Sequence, residues 1–411
     1  MLATCLKKWV LFFLIAAASL LIGMRTSIAF FYLLFWFLVT LVAVCGLWVL
    51  CEAAFVTLQL ARQATGKVDT GDILEIKVSI HNRSFLPLGN MLLEDYLPCL
   101  SGSLARKYIL IEYLGPGLSM DLHYRCQCLR RGRYRLGPFS VYFFDPLGLF
   151  FIKRAYPVYS ELYVYPKTFP IRRFPALSKG VLPWFGIESA RAGGDEDEFF
   201  GVREYKPGDP IKKIHWFSTA LKNRLIVKQY QRQVFFRATL ICNLRRDMEF
   251  SAGADSVNEY AIKIAASVAR YLLDKGISVE LIAQAQEPVH IPFNKGAQHL
   301  ESILKFLAMA RPDSQMGLDE IFQSCARHIP DHTTVIVIMP DRDWEHLPLM
   351  LPLEKRNVSL IPLVLITSTF KYALSRPELI KDVKIKLSQT LPAVPIVFYR
   401  GQDPEEAFLE W

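Results

Sequence analysis

Between Gly194 and Tyr230 the chain concentrates side chains that can give, take or hold a proton: Arg203, Glu204, Tyr205, Asp209 and His215. Acid, base and donor in one stretch could sketch a hydrolase centred on Arg203, Asp209 and His215. Such chemistry needs a nucleophile and a base that converge, with a third group orienting the base. The sequence offers no Gly-x-Ser-x-Gly elbow, no His-Glu-x-x-His pair and no phosphate loop, and His215 is the lone histidine of the stretch. The expectation is therefore a stretch that is not catalytic, with a hydrolase-like enzyme as the alternative.

The same residues also carry a structural reading. Lys206-Pro207-Gly208-Asp209 is a tight-turn signal in which Gly208 supplies the turn conformation and Asp209 caps it. Arg203 would pair with a carboxylate and fix the segment. The acidic run Asp195 to Glu198 reads as a solvated loop or, beside Phe199-Phe200, as a peptide-like segment read by a basic partner.

The stretch resembles a bacterial family called domain of unknown function 58. Its signature runs Gly-x-Arg-Glu-Tyr-x-x-Gly-Asp, then basic residues, then Ile-x-Trp-x-x-x-Ala and a basic residue after the next apolar pair. Gly201, Arg203, Glu204, Tyr205, Gly208, Asp209, Ile214, Trp216, Ala220 and Lys228 match it, with His215 beside Trp216. That many fixed spacings make a specific signal. Arg131-Gly132-Arg133-Tyr134 to Gly137-Pro138, and Asp145 to Phe150, resemble further phrases of the family.

The resemblance implies a protein partner, a MoxR-type AAA+ ATPase, because members are associated with such ATPases; this chain has no ATP-binding motif of its own. It also implies a von Willebrand factor A-like domain in the C-terminal part. Such domains hold a divalent cation with an Asp-x-Ser-x-Ser run after the first strand, hard oxygen ligands converging on a hard ion. Aligned by spacing to the strand ending at Cys242, these positions are Asn243, Arg245 and Asp247. Arg245 brings a fixed positive charge to the cation's place and Asn243 removes the principal negative ligand, so neither metal nor cofactor is expected. Asp341 remains as an acidic ligand, an ion-pair partner of Arg245 or a surface aspartate.

The elements that must position these residues begin in the membrane. A chain of 411 residues suggests two or three domains. Its 52% hydrophobic content and mean hydropathy of +0.22 reflect an excess at the N-terminus. Residues 26–51 carry no charge and as a helix would reach about 39 Å, beyond the roughly 30 Å hydrocarbon core. Residues 9–24 would reach about 24 Å, enough for a span with local thinning or for a signal-peptide core. The turn Gly23 to Ser27 runs straight into the next apolar stretch, which favours an uncleaved hairpin. Lys7, Lys8, Arg62 and Lys67 at its open side outnumber Arg25 at its tip. The positive-inside rule then places a multi-pass protein in the inner (cytoplasmic) membrane with its body facing the cytoplasm.

The net charge of +9 is read as membrane-facing charge against the lipid bilayer, and no nucleic acid is expected because no recognition pattern accompanies it. Of eight cysteines, Cys126-x-Cys128 is too tight for a zinc knuckle, and the body cysteines read as small buried hydrophobes.

The expected layout is multi-domain. Residues 1–66 form the transmembrane helical hairpin. Residues 67–165 form an antiparallel, immunoglobulin-like β-sandwich, with strands at 73–80, 91–96, 108–113, 122–129, 134–144 and 162–165 and a turn at His81 to Ser84. Residues 166–234 are connector and signature stretch. Residues 235–411 are a doubly wound, von Willebrand A-like α/β domain, with strands at 238–242, 277–283, 334–339, 358–366 and 396–399 and helices from Val257, at 297–310 and at 318–329. The expected role is a membrane-anchored, non-catalytic scaffold or adaptor serving the assembly or remodelling of envelope complexes.

Overall fold

The computed structural model describes residues 2–100, 105–175, 198–207, 209, 211–231, 236–248, 256–331, 333–372, 385 and 395–409. Gly208, Asp195 to Asp197 and the connector from residue 176 lie outside them. The chain divides into two compact units: Met1–Phe169 with Ala252–Ala266 and Glu301–Arg311, and Pro170–Ser251 with Ser267–Leu300 and Pro312–Trp411.

The two uncharged runs become α1 (Leu2–Thr26) and α2 (Ala29–Phe55), both long and apolar enough to cross a membrane. Every backbone group inside such a helix bonds to its own segment, which hydrocarbon requires. Ser27, at φ 56°, makes the turn between them. Both open ends of the hairpin grip the domain that follows. Lys8 Nζ donates to Leu147 O at 2.8 Å, and Trp9 Nε1 to Leu149 O at 3.0 Å. Arg154 donates to the carbonyls of Ala53 and Val56.

The Asp145 carboxylate shapes the receiving loop by accepting from Leu147 N at 3.0 Å and Phe150 N at 2.6 Å. That turn presents the Leu147 and Leu149 carbonyls, so the Asp145 to Phe150 phrase clamps the anchor onto the body.

The body of the first unit is a sandwich of β1 (Leu58–Ala64), β2 (Lys67–Asp69), β3 (Ile73–Asn82), β4 (Leu88–Tyr96), β5 (Arg106–Leu114), β6 (Ser119–Gln127), β7 (Gly132–Leu136), β8 (Phe139–Phe144), β9 (Phe151–Tyr156) and β10 (Ser160–Tyr165). They form sheets of order β1-β3-β6, β2-β10-β7 and β5-β4-β8-β9. Alternation in β3 puts Leu74, Ile76, Val78 and Ile80 into one core with Met91, Leu93, Phe139, Val141 and Phe143.

Five expectations change here. The anchor's helix ends at Phe55, and residues 58–64, expected within the 1–66 anchor, are strand β1 paired with β3. The run 134–144 is two strands in different sheets, because the chain turns at Gly137 (φ 95°), where a Cβ would meet Val158 O at 2.3 Å. His81 and Asn82, expected in a turn, complete β3, and β2 pairs in parallel with β10 in an otherwise antiparallel set. Arg62, counted as a charge flanking the membrane, has its side chain fully buried and ion-paired to Asp95. Asp95 also accepts from Tyr124, and Arg62 from its other edge donates to Ser160 Oγ at 3.2 Å and lies over the Phe139 ring at 4.2 Å.

Beyond the sandwich the chain forms a hairpin-like insert, β11 (Glu198–Glu204), α3 (Trp216–Lys222) and β12 (Ile226–Gln231), and then an α/β region. Its elements are β13 (Arg237–Asn243), α4 (Val257–Asp274), β14 (Ser278–Gln284), β15 (Pro288–Asn294), α5 (Ala297–Met309), α6 (Leu318–Cys325), β16 (Thr333–Pro340), β17 (Ser359–Leu365), α7 (Thr367–Tyr372), β18 (Ile396–Phe398) and α8 (Pro404–Leu409). The sheet order is β15-β14-β13-β16-β17-β18, parallel throughout except for β15.

Strand β16 is buried along its whole length, which explains its unbroken apolar sequence. Ser256 caps α4 by accepting from Glu259 N at 3.2 Å, as the capping-box spacing predicts. Helix α6 stops at Cys325, short of the expected 329, with the following turn closed by Ile329 N to Cys325 O at 3.1 Å. The elements not expected include the short helices α7 and α8, β15, an edge strand with no fully buried side, and a 3-10 helix at Asp341–Arg356 whose Pro348 and Pro352 hide a helical pattern.

Candidate functional site

The signature residues are held by a two-stranded frame. β11 runs antiparallel to β12 with Gly201 opposite Gln229, Val202 opposite Lys228, Arg203 opposite Val227 and Glu204 opposite Ile226. Tyr205 N extends the ladder to Leu225 O at 2.9 Å. Ile214 bridges to Val227 and is buried with Ile226 and Val227, so the signature isoleucine is the seam that closes the loop onto the strands.

Within that loop Arg203 and Asp209 make a two-pronged ion pair, Nη1 to Oδ2 at 2.7 Å and Nη2 to Oδ1 at 2.6 Å. Asp209 Oδ2 also accepts from Lys206 N at 2.9 Å, and Asp209 N donates back to Lys206 O at 3.0 Å. The guanidinium first, and then the Lys206 amide, hold the Asp209 carboxyl at about 2, below the usual carboxylate range. The arginine and the aspartate of the signature are thus partners in one turn. Glu204 instead pairs with Arg224 at 2.6 Å in solvent.

His215 serves as the N-cap of α3. Its Nδ1 accepts from Ser218 N at 3.2 Å and lies 2.7 Å from Ser218 Oγ, while its own amide bonds Ile226 O at 2.7 Å. Thr219 Oγ1 accepts from Ile226 N at 3.0 Å and ties the helix to β12. These bonds fix a short helix with no buried residue. Trp216 (65% exposed), Phe217 (74%) and Leu221 (73%) stand out in solvent with Ile211 (71%) of the preceding 3-10 turn. Exposed Lys206, Lys212, Lys222 and Arg224 accompany them in the same loop. Of this apolar group the sequence reading singled out Trp216 alone; the signal for the rest was three large apolar residues within a seven-residue helix that also ends in lysine.

The second set lies at the carboxyl ends of β13 and β16, where strand order reverses, the place at which open α/β sheets form a crevice. Arg245 Nε reaches Asp247 Oδ1 at 2.8 Å and Nη2 reaches Asp247 Oδ2 at 2.5 Å, while Nη1 approaches Asp343 Oδ1 at 3.4 Å. Asn243 Nδ2 donates to Met316 O at 3.1 Å.

Asp341 does not pair with Arg245. It accepts from Thr367 N at 3.1 Å and Thr367 Oγ1 at 2.6 Å, capping the start of α7, and the arginine's second partner is Asp343, which the sequence reading missed two residues away. Burial pushes the Asp343 carboxyl above its ordinary range despite Arg245. A guanidinium held between two aspartates already supplies the positive charge here, so this donor set does not fit a divalent cation. Among the described residues no group of three or more His, Cys, Asp or Glu is arranged to hold a metal ion.

One family model falls on the same stretch. Residues 201–350 match the family described as "Protein of unknown function DUF58". The chain is 25% identical over 259 residues to "Uncharacterized protein YeaD" of Bacillus subtilis (strain 168), an alignment covering 60% of this chain and 61% of that protein. The chain therefore spans about three fifths of the length of this curated relative. Among solved structures, the crystal structure of the CARDB domain of the PF1109 protein from Pyrococcus furiosus, in complex with di-metal ions, is 16% identical with a TM-score of 0.20, covering 27% of this chain and 94% of that one. The solution structure of the same domain gives 15% identity and a TM-score of 0.21, covering 27% and 95%. Residues 201–350 of this chain are a DUF58 region, the family whose signature the stretch from Gly201 to Lys228 carries.

Proposed function

We propose that this protein is a membrane-anchored, non-catalytic adaptor whose signature stretch receives a protein partner, a MoxR-type AAA+ ATPase, in the assembly or remodelling of envelope complexes. In this reading the hairpin lies in the inner (cytoplasmic) membrane and the body faces the cytoplasm. The sandwich is an immunoglobulin-like spacer, and the C-terminal region is a von Willebrand A-like domain whose cation has been replaced by the Arg245 guanidinium.

The observation that carries the reading is the apolar face of α3. Trp216, Phe217 and Leu221 are about two-thirds to three-quarters exposed on a frame rigidly bonded to β12. Large aromatic side chains left in water on a fixed element are what binding hot spots are made of. The lysine and arginine side chains beside them suit a partner with an acidic rim. Arg203 and Asp209 hold the turn that presents the face and take no part in chemistry.

The opposing reading, a hydrolase, draws on one contact, Ser218 Oγ to His215 Nδ1 at 2.7 Å, a nucleophile-to-base distance. The same nitrogen accepts the Ser218 amide, so the local capping of α3 accounts for the pair.

The test is recovery of the ATPase with the full chain from native membranes. A Trp side chain carries about 150–250 Å². Burying the exposed two-thirds at about 25 cal/mol per Å² gives about 2.5–4 kcal/mol, so Trp216→Ala is expected to weaken capture by about 10²-fold or more with no loss of thermal stability. A wild-type chain that recovers no ATPase, or a Trp216→Ala chain that recovers as much as wild type, overturns the proposal.

A further inference from the structure

The end of the sandwich at which α2 enters carries an apolar surface of its own. Strands β3, β5 and β8 finish there, and the loops that follow them are residues 83–87, 115–118 and 145–150. Fully buried Asn82 ties the first two loops together. Its Nδ2 donates to Leu86 O at 2.9 Å, Leu114 O at 3.1 Å and Gly115 O at 3.2 Å, and its backbone bonds Gly117 N and Leu118 O. Arg83 N donates to Thr57 O at 2.9 Å, just past the end of α2, which fixes this pair of loops to the anchor's exit.

Contacts with the hairpin set the depth of these loops. Phe150 meets the Trp9 ring edge-on with 5.1 Å between centroids, and lies over Gly46 of α2, where a Cβ would come 3.5 Å from its ring. Trp9 opens one uncharged run, and Gly46 lies five residues inside the other, about 8 Å before it ends at Cys51. Cys45, Val49 and Glu52 make one buried stripe, whereas Leu47, Trp48, Leu50 and Phe55 are exposed, so the outward side of α2 stays apolar to its last residue. Phe55 is four residues, about 6 Å, beyond the uncharged run, a step that fits within a headgroup layer about 5–8 Å thick.

At that depth each loop exposes an apolar side chain. Phe85 is 70% exposed with its ring 5.8 Å from that of Phe55, and Leu118 is 57% exposed. Leu147 is exposed beside the carbonyl that Lys8 holds. Arg83, exposed in the same loop as Phe85, adds a positive charge. Exposed apolar side chains scattered singly need no explanation, but a group that continues the outward side of a membrane-length helix marks an interaction surface.

We propose that this pole of the sandwich is a lipid-contacting surface: Phe85, Leu118 and Leu147 enter the headgroup–acyl boundary of the bilayer that α1 and α2 cross, and Arg83 meets anionic lipid phosphate. The surface has this role only where α1 and α2 span the membrane, and the bilayer is its occupant because the apolar side of α2 runs into it without a break. Apolar side chains buried at the boundary, with a basic group for anionic lipid, are what interfacial binding uses. The sandwich is thereby seated on the membrane by three loops as well as joined to it by α2.

The experiment uses the full chain in nanodiscs of phosphatidylcholine and phosphatidylglycerol doped with a phospholipid bearing an acyl-chain diazirine, irradiated and mapped by peptide mass spectrometry. Adducts are expected on Phe85, Leu118 and Leu147 as well as along α1 and α2. Ile73 and Leu129, exposed apolar residues at the other end of β3 and β6, should carry none. In the double variant Phe85→Asp, Leu118→Asp, which changes only exposed side chains, adducts should be lost from residues 83–87 and 115–118 and kept on α1 and α2, with the thermal transition unchanged. Omitting phosphatidylglycerol should lower the yield on residues 83–87 by up to about fivefold, the worth of one basic side chain at an anionic surface, and should not do so in Arg83→Ala. Adducts on α1 and α2 with the three loops bare overturn the proposal and leave the spans standing. Adducts on Ile73 and Leu129 equal to those on Phe85 and Leu118 overturn it as well. Bare α1 and α2 remove the spans, and the lipid surface with them.

Discussion

Replacing Arg62 by Ala strips a buried carboxylate in the sandwich of its counter-charge. Both members of the Arg62–Asp95 pair are 0% exposed. The guanidinium addresses both carboxylate oxygens, Ser160 and the Phe139 ring, and the Tyr124 hydroxyl is Asp95's other side-chain donor. Removing one partner of a buried pair costs about 3–5 kcal/mol, because the remaining charge stays out of water without its counter-charge. A domain's whole margin is about 5–15 kcal/mol. At about 4 °C or more per kcal/mol for a domain of this size, the sandwich transition should fall by about 12–20 °C or further.

Burial already pushes the Asp95 carboxyl above its ordinary range, with Arg62 and Tyr124 opposing it. Without Arg62 the folded state should bind that proton more tightly still. The folded state then gains protons relative to the unfolded one, so the variant's deficit should shrink as pH falls from 8 to 5. The double variant Arg62→Met, Asp95→Leu removes both charges and should recover most of the loss. The assay is thermal unfolding of the full chain in micelles, followed by tryptophan fluorescence and near-ultraviolet circular dichroism across that pH range. A loss below about 1 kcal/mol for Arg62→Ala, the size of an exposed pair, would refute the claim that this pair is desolvated.

Two more outcomes follow from the second unit. Asp209 should titrate with a midpoint near 2, read from its side-chain carbon shift and the Lys206 amide, and near 4 in Arg203→Ala. Because its folded pKa is depressed, the order this pair lends to the signature turn is present above about pH 4 and is lost as pH falls through about 2. Arg245→Ala leaves Asp343, whose side chain is 6% exposed, without its cation and should destabilise the α/β region by about 3–5 kcal/mol at pH 7. The raised Asp343 carboxyl then takes up a proton as pH falls, so stability should partly recover by pH 5; a pH-independent loss measured by denaturant unfolding would contradict that.

Much of this molecule was legible in the residues because local chemistry decides it. Uncharged runs of membrane length gave helices, alternation in Ile73 to Ile80 gave β3, and Ser256 with Glu259 gave the start of α4. Fixed spacings from Gly201 to Lys228 marked the family, and the turn chemistry of Lys206 to Asp209 foretold a capping aspartate and an arginine partner. What stayed hidden depended on residues far apart in the chain. Arg62 looked like a flanking membrane charge until β1 paired with β3 and carried it under the sheet to Asp95. Asp343, given no role in the sequence, took the place offered to Asp341 beside Arg245, because the first turn of a 3-10 helix directs Asp343 to Arg245 and Asp341 to Thr367. Period, charge and turn signals are written within a few residues, so the sequence determined the elements and the signature by itself. Which buried polar group meets which is set by strand register and sheet order, and those emerge only when the whole chain satisfies its hydrogen bonds and packs its core at once.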